Sequence, residues 1–330
     1  MLSRVADSIY WMHRYIERAE NVARFIDVNL HLMLDSPAGT AGQQWEPLVA
    51  TTGDQLVFQE RYGTATKEHV VGFLTFDADY PSSILACLQA ARDNARSVRE
   101  IISSEMWEQV NTFYLMVREA TATGHAMDEP HAFFTQVKMA SHLFLGITDV
   151  TMSHGEGWHF GRLGRLLERA DKTSRILDVK YFLLLPTATD VGTPLDDIQW
   201  AAVLKSASAF EMYRKRFGRL SPDRVADFLV LDRDFPRAMH YCLVKAEESL
   251  HAISGSPPGT FLNAAEQRLG RLCAELDYAQ IDEIIAGGLH EFLDTFQAKL
   301  NAVGTAIFET FFALRPLQAP GPQVQRQEAR

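Results

Sequence analysis

Two stretches of the chain, about 150 residues apart, carry the same pattern of acidic and basic residues. They read YIERAENVARFIDV (15–28) and LLERADKTSRILDV (166–179), and their shared positions are Glu17 and Glu168, Arg18 and Arg169, Glu20 and Asp171, and Arg24 and Arg175. A guanidinium binds a carboxylate or phosphate through two parallel hydrogen bonds, and a carboxylate accepts hydrogen bonds or protons. The repeated pattern can therefore bind an anionic group or form a network of ion pairs.

Helical spacing places these residues on defined sides of two helices. Glu17, Glu20 and Arg24 follow at steps of three and four residues and so form one ridge, which the second copy repeats. Further basic residues lie one turn apart on another side: Arg14 and Arg18 in the first copy, and Arg162, Arg165 and Arg169 in the second. Two interpretations stay open. The ridges face a ligand, or they consist of i,i+4 ion pairs worth about 0.2–0.5 kcal/mol each and form a structural network.

A glycine-rich stretch, TMSHGEGWHFGR (151–162), precedes the second copy. Its histidines, His154 and His159, are candidates for acid and base chemistry together with Glu168. Glu156 stands at the predicted helix start, where free N–H groups favour an anion, and is a further candidate binding residue. The alternative is a capping box of Ser153 and Glu156 that only begins the helix.

A third charged stretch, ARSVREIISSEMW (95–107), contributes Arg96 and Arg99 as candidate binding residues. The first half carries this stretch without a close counterpart in the second half, which favours a specialised site. The alternative is a solvated surface helix.

Motifs of several common chemistries are absent from the sequence. It contains no GxxxxGK[ST], no GxGxxG after a strand pattern and no GxSxG. The two Glu-x-x-Glu/Asp pairs resemble di-metal carboxylate sites, but those sites use Glu-x-x-His pairs, and the arginine within each ridge would repel a dication. We therefore predict no metal site and no cofactor.

The elements that position these groups are helices. Apolar residues recur at helical spacing from Val5 to Met33, which predicts a helix over 4–34. Similar patterns predict helices over about 81–121, 131–150, 156–185, 197–217, 236–252, 259–275 and 279–314. Two Asp-x-Asp-aromatic-Pro elements, 77–81 and 232–236, are typical of helix starts. Because no strand pattern occurs, the predicted fold class is all-α.

The similarity between the two halves extends beyond the Glu-Arg pattern. At an offset of 155 residues, RYG (61–63) matches RFG (216–218), and FLTFDADYP (73–81) matches FLVLDRDFP (228–236). We predict a multi-helix bundle built from two tandem pseudo-symmetric helical repeats, in one domain over 1–314 with halves of about 1–150 and 151–314. The tail, 315–330, is predicted to be disordered.

The aligned helices differ in bulk at two positions. Gly161 and Gly164 stand where the first copy has Tyr10 and His13. The difference predicts either interlocking packing between the two helices or a pocket beside Glu168.

Composition restricts the function classes. The chain has 330 residues, and its formal net charge of −10 argues against a nucleic-acid partner. Three widely spaced cysteines make no disulfide framework, the first residues lack the apolar core of a signal peptide, and no run reaches the roughly 18 apolar residues of a membrane span. We expect a cytoplasmic protein that binds neither nucleic acid nor membranes, and an oligomer stays possible.

Several motifs together resemble those of the Alpha-E family, an all-helical family named for its helices and its Glu-Arg motif. They are MLSRVADSIYW with YIERAE, NARSVRE, ISSEMWE, MSHGEGW, LGRLLERADKTSRILDVKY and VADFLVLDRDFPR, in this order up to about residue 314. The family's motif is then Glu17-Arg18 and Glu168-Arg169. The resemblance implies an association, through gene neighbourhoods, with circularly permuted ATP-grasp proteins and transglutaminase-like proteins, in systems that form or modify peptide or amide bonds.

These observations lead to one preferred hypothesis and two alternatives. The preferred one is a helical partner or substrate-binding subunit of an ATP-grasp amide ligase, which binds an anionic peptide or amino-acid group through its Glu-Arg motifs. The first alternative is a stand-alone enzyme that uses His154 or His159 with Glu168 on amides. The second is a purely structural scaffold in which the Glu-Arg residues are buried ion pairs.

Overall fold

The structure is a computed structural model that describes residues 1–34, 45–182 and 194–313. The predicted disordered tail, 315–330, lies outside the described residues. All regular secondary structure in the described ranges is helical, which confirms the predicted fold class.

Eight helices lie in the described part of the first half. They are α1 (Ser3–Leu34), α2 (Glu46–Ala50), α3 (Gln55–Tyr62), α4 (Lys67–Val71), α5 (Ile84–Ser97), α6 (Ser104–Thr123), α7 (His125–Asp128) and α8 (Pro130–Thr151). After α4, the wider turns of a π-helix continue over Gly72–Phe76.

The second half also contains eight helices among the described residues. They are α9 (Glu156–Phe182), α10 (Pro194–Ser206), α11 (Phe210–Phe217), α12 (Pro222–Val230), α13 (Met239–Ser254), α14 (Ala264–Asp277), α15 (Ile281–Gly287) and α16 (Leu289–Ile307). A π-helical segment, Phe308–Phe312, continues α16.

Three predicted helices are divided in the structure. The run 81–121 breaks between α5 and α6, where the Ser103 hydroxyl accepts a hydrogen bond from the backbone N–H of Met106 and begins the second helix. The run 197–217 breaks at Ser208, whose φ of 50° is left-handed, and the run 279–314 breaks at Gly288, whose φ is 98°. Apolar residues continue at helical spacing across these breaks. The periodicity therefore predicted one long helix where the structure has two shorter ones.

The prediction that the Asp-x-Asp-aromatic-Pro elements start helices is wrong. In each, the first aspartate accepts hydrogen bonds from the backbone N–H groups two and three residues ahead, at 2.9 and 3.2 Å for Asp77 and 2.9 and 2.6 Å for Asp232. The two elements are therefore turns between helices, and α5 and α13 begin only after them. An aspartate can satisfy free N–H groups in a turn as well as at a helix start.

Helices α1 and α9 form the centre of the fold and run side by side in the same direction. Their packing interlocks at the two glycines. A Cβ at Gly161 would lie 2.6 Å from the His13 ring, and a Cβ at Gly164 would lie 2.4 Å from the backbone oxygen of Tyr10. Of the two predictions for these glycines, interlocking packing is confirmed.

The other long helices surround the central pair. Helices α5 and α8 contact α1, and α13 and α16 contact α9, with α6 and α14 packed on the outside. Helices α3, α4 and α5 begin 155 residues before α11, α12 and α13. This order agrees with the duplication in the sequence, while a single twofold axis that relates the complete halves stays a prediction.

The apolar faces of these helices join in one continuous core. Its largest fully buried side chains include Tyr213, Phe73, Phe113, Phe134 and Phe144. Within the described ranges, no helix combines the length and apolarity needed to cross a bilayer.

Candidate functional site

The duplicated Glu-Arg motifs bind each other across the central helix pair. Arg169 donates to Glu17 from Nε and Nη2, both at 2.8 Å. In the reversed combination, Arg18 donates to Glu168 from Nε at 2.6 Å and from Nη2 at 3.1 Å. Each motif thus pairs its glutamate with the arginine of the other copy, as in an isologous interface between two subunits.

Glu168 is fully buried among three cations. Arg14 donates to it from Nε at 2.8 Å, in addition to Arg18, and the Lys172 ammonium lies 3.7 Å away. Burial alone would raise the pKa of Glu168, but the charges of Arg18 and Arg14 outweigh it and hold this pKa well below its usual range. Glu168 is therefore a carboxylate whose oxygens are already engaged, and not a free base.

Glu20 is a second fully buried carboxylate, and it receives donors from three elements. Its Oε1 accepts from Arg24 Nε at 2.8 Å, from Arg237 Nη2 at 2.6 Å and contacts His142 Nε2 at 3.1 Å. Burial opposes ionisation, but Arg237, the His142 hydrogen bond and Arg24 together hold the pKa of Glu20 well below its usual range. Oε2 of Glu20 is buried with no hydrogen-bond partner among the described residues.

Asp171 forms the predicted i,i+4 pair with Arg175, at 3.0 Å, and also contacts the Lys172 ammonium at 3.1 Å. Burial raises its pKa less than Lys172 and Arg175 lower it, so the net shift is downward. The equivalent pair of the first copy, Glu20 with Arg24, is present as well.

These contacts form two groups, one around Glu17 and Glu20 and one around Glu168 and Asp171, which we call together the central ion cluster. It contains four acidic residues, Glu17, Glu20, Glu168 and Asp171, and seven basic residues, Arg14, Arg18, Arg24, Arg169, Lys172, Arg175 and Arg237. Basic groups therefore exceed acidic groups at the centre of a chain whose net charge is −10.

Arg165 adds another cation beside this cluster. Its Nε is buried with no hydrogen-bond partner among the described residues. Burial and the neighbouring charge of Arg169 lower the pKa of Arg165 to about 10. Its counterpart by alignment, Arg14, has Glu168 as a partner, so the two equivalent arginines differ.

His13 lies between Arg165 and the apolar core. The side chain is buried, its ring centroid lies 5.0 Å from that of Phe144, and neither ring nitrogen has a hydrogen-bond partner within the described part of the chain. Burial, with the charge of Arg165, lowers the pKa of His13 to about 3. The imidazole is therefore neutral at physiological pH.

A small cavity of about 30 Å³ opens on the first-half side of the cluster. Its polar lining includes three cations of the cluster, Arg18, Lys172 and Arg175, together with Tyr80 and Ser82 from the turn before α5. Four residues of this region were not predicted from the sequence: Lys172, Tyr80, Ser82 and Arg237. The signal that could have found them is the duplication itself, because Arg237 and Ser82 occupy aligned positions.

The histidines of the glycine-rich stretch lie apart from Glu168. His154 is exposed and stacks on Trp158 with a centroid distance of 4.1 Å, and Nδ1 of His159 has no hydrogen-bond partner among the described residues. Glu156 accepts from the N-terminal ammonium of Met1 at 2.7 Å. Neither histidine hydrogen-bonds to Glu168 in the part of the chain that the structure describes.

The remaining predicted binding residues also lie outside the cluster. Arg162 donates to Ser249 and Glu248, both at 3.2 Å, on α13. Arg96 and Arg99 are exposed near the end of α5, and the Arg99 guanidinium lies 4.8 Å from the Trp107 ring. The structure thus separates these residues from the Glu-Arg pairs.

Two groups of histidine and aspartate have the spacing of possible metal ligands, at the far ends of the ridges. They are Asp27, His31 and His131, and Asp178, His290 and Asp294. In the first group, the Lys138 ammonium donates to Asp27 at 2.6 Å and occupies the position of a cation. In the second, His290 bridges two aspartates through different ring nitrogens, at 2.7 and 3.7 Å, so one ion cannot use both contacts.

Comparisons with known proteins agree with the motifs at the centre of this site. A family model described as a predicted alpha-helical domain with a conserved ER motif matches residues 1–312. The Glu-Arg dipeptides that pair across α1 and α9 lie within this match. No solved structure matches the chain.

The chain is similar to three mycobacterial proteins over almost its whole length. The uncharacterized proteins Mb2597 of Mycobacterium bovis and MT2643 of Mycobacterium tuberculosis CDC 1551 are each 25% identical over 347 residues, and Rv2567 of Mycobacterium tuberculosis H37Rv is 24% identical. Each alignment covers 96% of this chain but 38% of the relative. The chain therefore spans less than half the length of these relatives.

Proposed function

The chain belongs to the Alpha-E family, and we propose that it is a helical binding subunit of an ATP-grasp-associated system that forms or modifies amide or peptide bonds. In this proposal the subunit binds an anionic peptide or amino-acid group of the substrate, and the ATP-grasp protein performs the chemistry. The family resemblance implies a transglutaminase-like protein as a further partner of the system.

The observation that carries the binding role is the excess of positive charge in the central ion cluster. Seven basic residues share four acidic ones, and Arg165 adds a cation that forms no salt bridge within the described ranges. Buried cations without enough anions are unfavourable, and a bound anion offsets that cost. The arginines and Lys172, rather than the glutamates, are the ligand-binding groups.

The proposed partnership is supported by the length of the relatives. The matching region makes up 38% of each relative, so this helical unit occurs there with a larger amount of additional protein. A helical unit that works beside further protein segments is expected to present a surface for them.

The outer face of α8 is the surface that we propose for the ATP-grasp partner. Met139, Leu143 and Val150 are 53%, 55% and 80% exposed there. Helices α8 and α16 occupy equivalent positions. His131 of α8 pairs with Asp27, and His290 of α16 pairs with Asp178, which aligns with Asp27. The offset between the two histidines is 159 residues. At that offset the three large apolar residues are replaced by Ala298 and Ala302 in α16 and by Glu309 in the π-helical segment that continues it. An apolar face on one of two equivalent helices is typical of a protein interface.

A structural scaffold is the second candidate function, favoured by the reciprocal pairing of the two Glu-Arg motifs. A buried ion pair between the halves fixes their register without any ligand. The two candidates differ in their requirement for a partner: a scaffold retains its role when α8 is altered, whereas the binding subunit loses its complex.

The test is reconstitution with a circularly permuted ATP-grasp protein from the same genome. Complex formation is measured by size-exclusion chromatography with light scattering, and ATP hydrolysis by ADP release. We expect a complex with the unaltered chain and with Asn301→Lys, a control on the outer face of α16, but none with Leu143→Lys at unchanged helicity. Equal binding by Leu143→Lys and the control would contradict the proposed surface. ADP release that is the same with and without this chain would contradict the proposed function.

A further inference from the structure

We propose that the cavity lined by Arg18, Lys172 and Arg175 binds one carboxylate group, such as the C-terminus of a peptide or a free amino acid. This inference rests on the proposed function and names the site and the chemical class of its ligand. It concerns one side of the central ion cluster, since the other side is already filled by a side chain of the protein.

The cavity has both basic and apolar walls. Its lining includes the cations Arg18, Lys172 and Arg175, the hydroxyl-bearing residues Thr51, Thr52, Tyr80 and Ser82, and the apolar residues Val22, Phe25 and Leu74. A volume of about 30 Å³ is enough for roughly two water-sized atoms, which matches the two oxygens of a carboxylate. The apolar wall then faces the carbon chain that carries this group.

The three cations have donor capacity that the protein does not use fully. Arg175 donates from Nε to Asp171 at 3.0 Å and from Nη1 to the Thr51 carbonyl at 3.1 Å. Its Nη2 has no hydrogen bond in the described part of the chain. Nη1 of Arg18 has a single long contact, 3.4 Å to the Ser82 hydroxyl.

The nearby acids do not occupy the cavity. Glu168 is held by Arg14 and Arg18, and Asp171 by Arg175 and Lys172. The Tyr80 hydroxyl donates its hydrogen bond to Asp54 at 2.7 Å. The phenol therefore lines the cavity but has no hydrogen left to donate to a ligand. A ligand carboxylate therefore meets mainly guanidinium and ammonium groups.

The second half shows what happens when the equivalent space is filled. Ser82 aligns with Arg237 at the offset of 155 residues. The Arg237 side chain donates to Glu17 at 3.3 Å, to Asn21 at 3.1 Å and to Glu20 at 2.6 Å. In the first half, the short side chain of Ser82 leaves this space open.

A second aligned position differs as well. Lys172 aligns with Asn21 at the offset of 151 residues, so the cation that the filled side carries at Arg237 is carried by Lys172 on the open side. The Lys172 side chain is 14% exposed and lies 3.1 Å from Asp171 and 3.7 Å from Glu168. Each half thus supplies one such cation to its two acids, but only the half with Lys172 and Ser82 keeps an open space beside them.

A carboxylate fits this site better than a phosphate group. A carboxylate is planar, has two acceptor oxygens and pairs with the planar fork of a guanidinium. A phosphate would leave the apolar wall of Val22, Phe25 and Leu74 without a contact.

The experiment uses the isolated full chain and three probes at constant ionic strength. They are N-acetylalanine, which mimics a peptide C-terminus, its uncharged amide, and inorganic phosphate. Binding is measured by NMR titration and by the shift of Tm. We expect saturable binding of N-acetylalanine, and none of its amide.

Substitutions then locate the site. Lys172→Gln and Arg175→Gln are expected to raise the Kd about tenfold each, which corresponds to roughly one charge-assisted hydrogen bond. Ser82→Arg, which introduces the side chain of the filled half, is expected to abolish binding while the urea midpoint stays at or above that of the unaltered chain. Lys215→Gln, on the exposed surface of α11, is the matched control and is expected to bind normally.

Three outcomes would overturn the inference. They are no saturable binding of N-acetylalanine, equal binding of its amide, and phosphate binding that the same substitutions remove.

The experiments distinguish failure of this site from failure of the proposed function. If N-acetylalanine binds but the ATP-grasp protein forms no complex, the proposed function fails and this site stands. If the complex stimulates ADP release equally with Ser82→Arg, the site fails and the proposed function stands.

Discussion

Arg18 in α1 and Glu168 in α9 connect the two halves of the chain by two hydrogen bonds, 2.6 Å from Nε to Oε1 and 3.1 Å from Nη2 to Oε2. The reversed pair, Glu17 with Arg169, makes the same two-pronged contact at 2.8 Å. Because both carboxylates are almost completely buried, each depends on its partners for all of its stabilisation.

Removing the charge of Glu168 should destabilise the fold strongly. Glu168→Gln strands the guanidiniums of Arg14 and Arg18, and we expect the free energy of unfolding to fall by about 3–5 kcal/mol. Urea denaturation measures the change. Glu156→Gln, at an exposed glutamate, is the control and should lose less than about 1 kcal/mol. A similarly small loss for Glu168→Gln would show that the buried pair is not needed for stability.

The close approach of α1 and α9 predicts opposite effects for two glycines. Gly164→Ala places a Cβ 2.4 Å from the backbone oxygen of Tyr10, so the helices must move apart. We expect a loss of about 1–3 kcal/mol. Gly146→Ala, in α8, meets open space and should stabilise by up to about 1 kcal/mol because alanine favours a helix. Thermal denaturation distinguishes the two, and a stabilising Gly164→Ala would contradict the packing.

The buried His13 predicts a loss of stability in mild acid. Its pKa is about 3 in the folded chain, lowered by burial and by Arg165, and about 6.5 when unfolded. The unfolded state therefore binds the proton first. The contribution of His13 is complete above about pH 6.5 and is lost as the pH falls toward 3.

Between pH 7.5 and pH 5 the loss from His13 should be about 2 kcal/mol. His13→Leu cannot titrate, so its free energy of unfolding should change less over this range, whatever its absolute value. Urea denaturation at both pH values gives the difference. The same pH dependence in His13→Leu and the unaltered chain would refute the assignment.

The aligned arginines Arg14 and Arg165 should respond differently to removal. Arg14→Met removes a donor from the buried Glu168 and should cost about 2–4 kcal/mol. Arg165→Met removes a partly buried cation whose Nε has no partner among the described residues, so its effect should lie within about 1 kcal/mol of zero or be stabilising. Equal losses in urea denaturation would show that Arg165 has an acidic partner in solution.

Much of the fold could be predicted from local pattern. The stripe from Val5 to Met33 predicted the long α1, and the repeated motif identified α9 as its counterpart. The sequence pattern did not predict short helices such as α2, nor the breaks between helices at Ser103 and Ser208. They depend on one cap or one backbone angle, whose signal is weaker than an apolar stripe over many turns.

The candidate site was predicted only in part. Glu17, Glu168 and their arginines were singled out by repetition, but the choice between a ligand site and an ion-pair network required distances between helices. His154, Arg96 and Arg99 had suitable residue types, yet the structure separates them from the cluster. Arg237 and Lys172 were not predicted as site residues because their contacts are with residues far away in the sequence.

The sequence by itself determined the helical class and the repeated Glu-Arg motif, because both are visible in the order of residues along the chain. Only the tertiary structure decided that each glutamate pairs with the arginine of the other copy, and that Ser82 leaves open the space that Arg237 fills in the second half. These relationships join residues 64 to 220 positions apart. Charge pairing and cavity shape at such separations follow from how the helices pack, which no local pattern specifies.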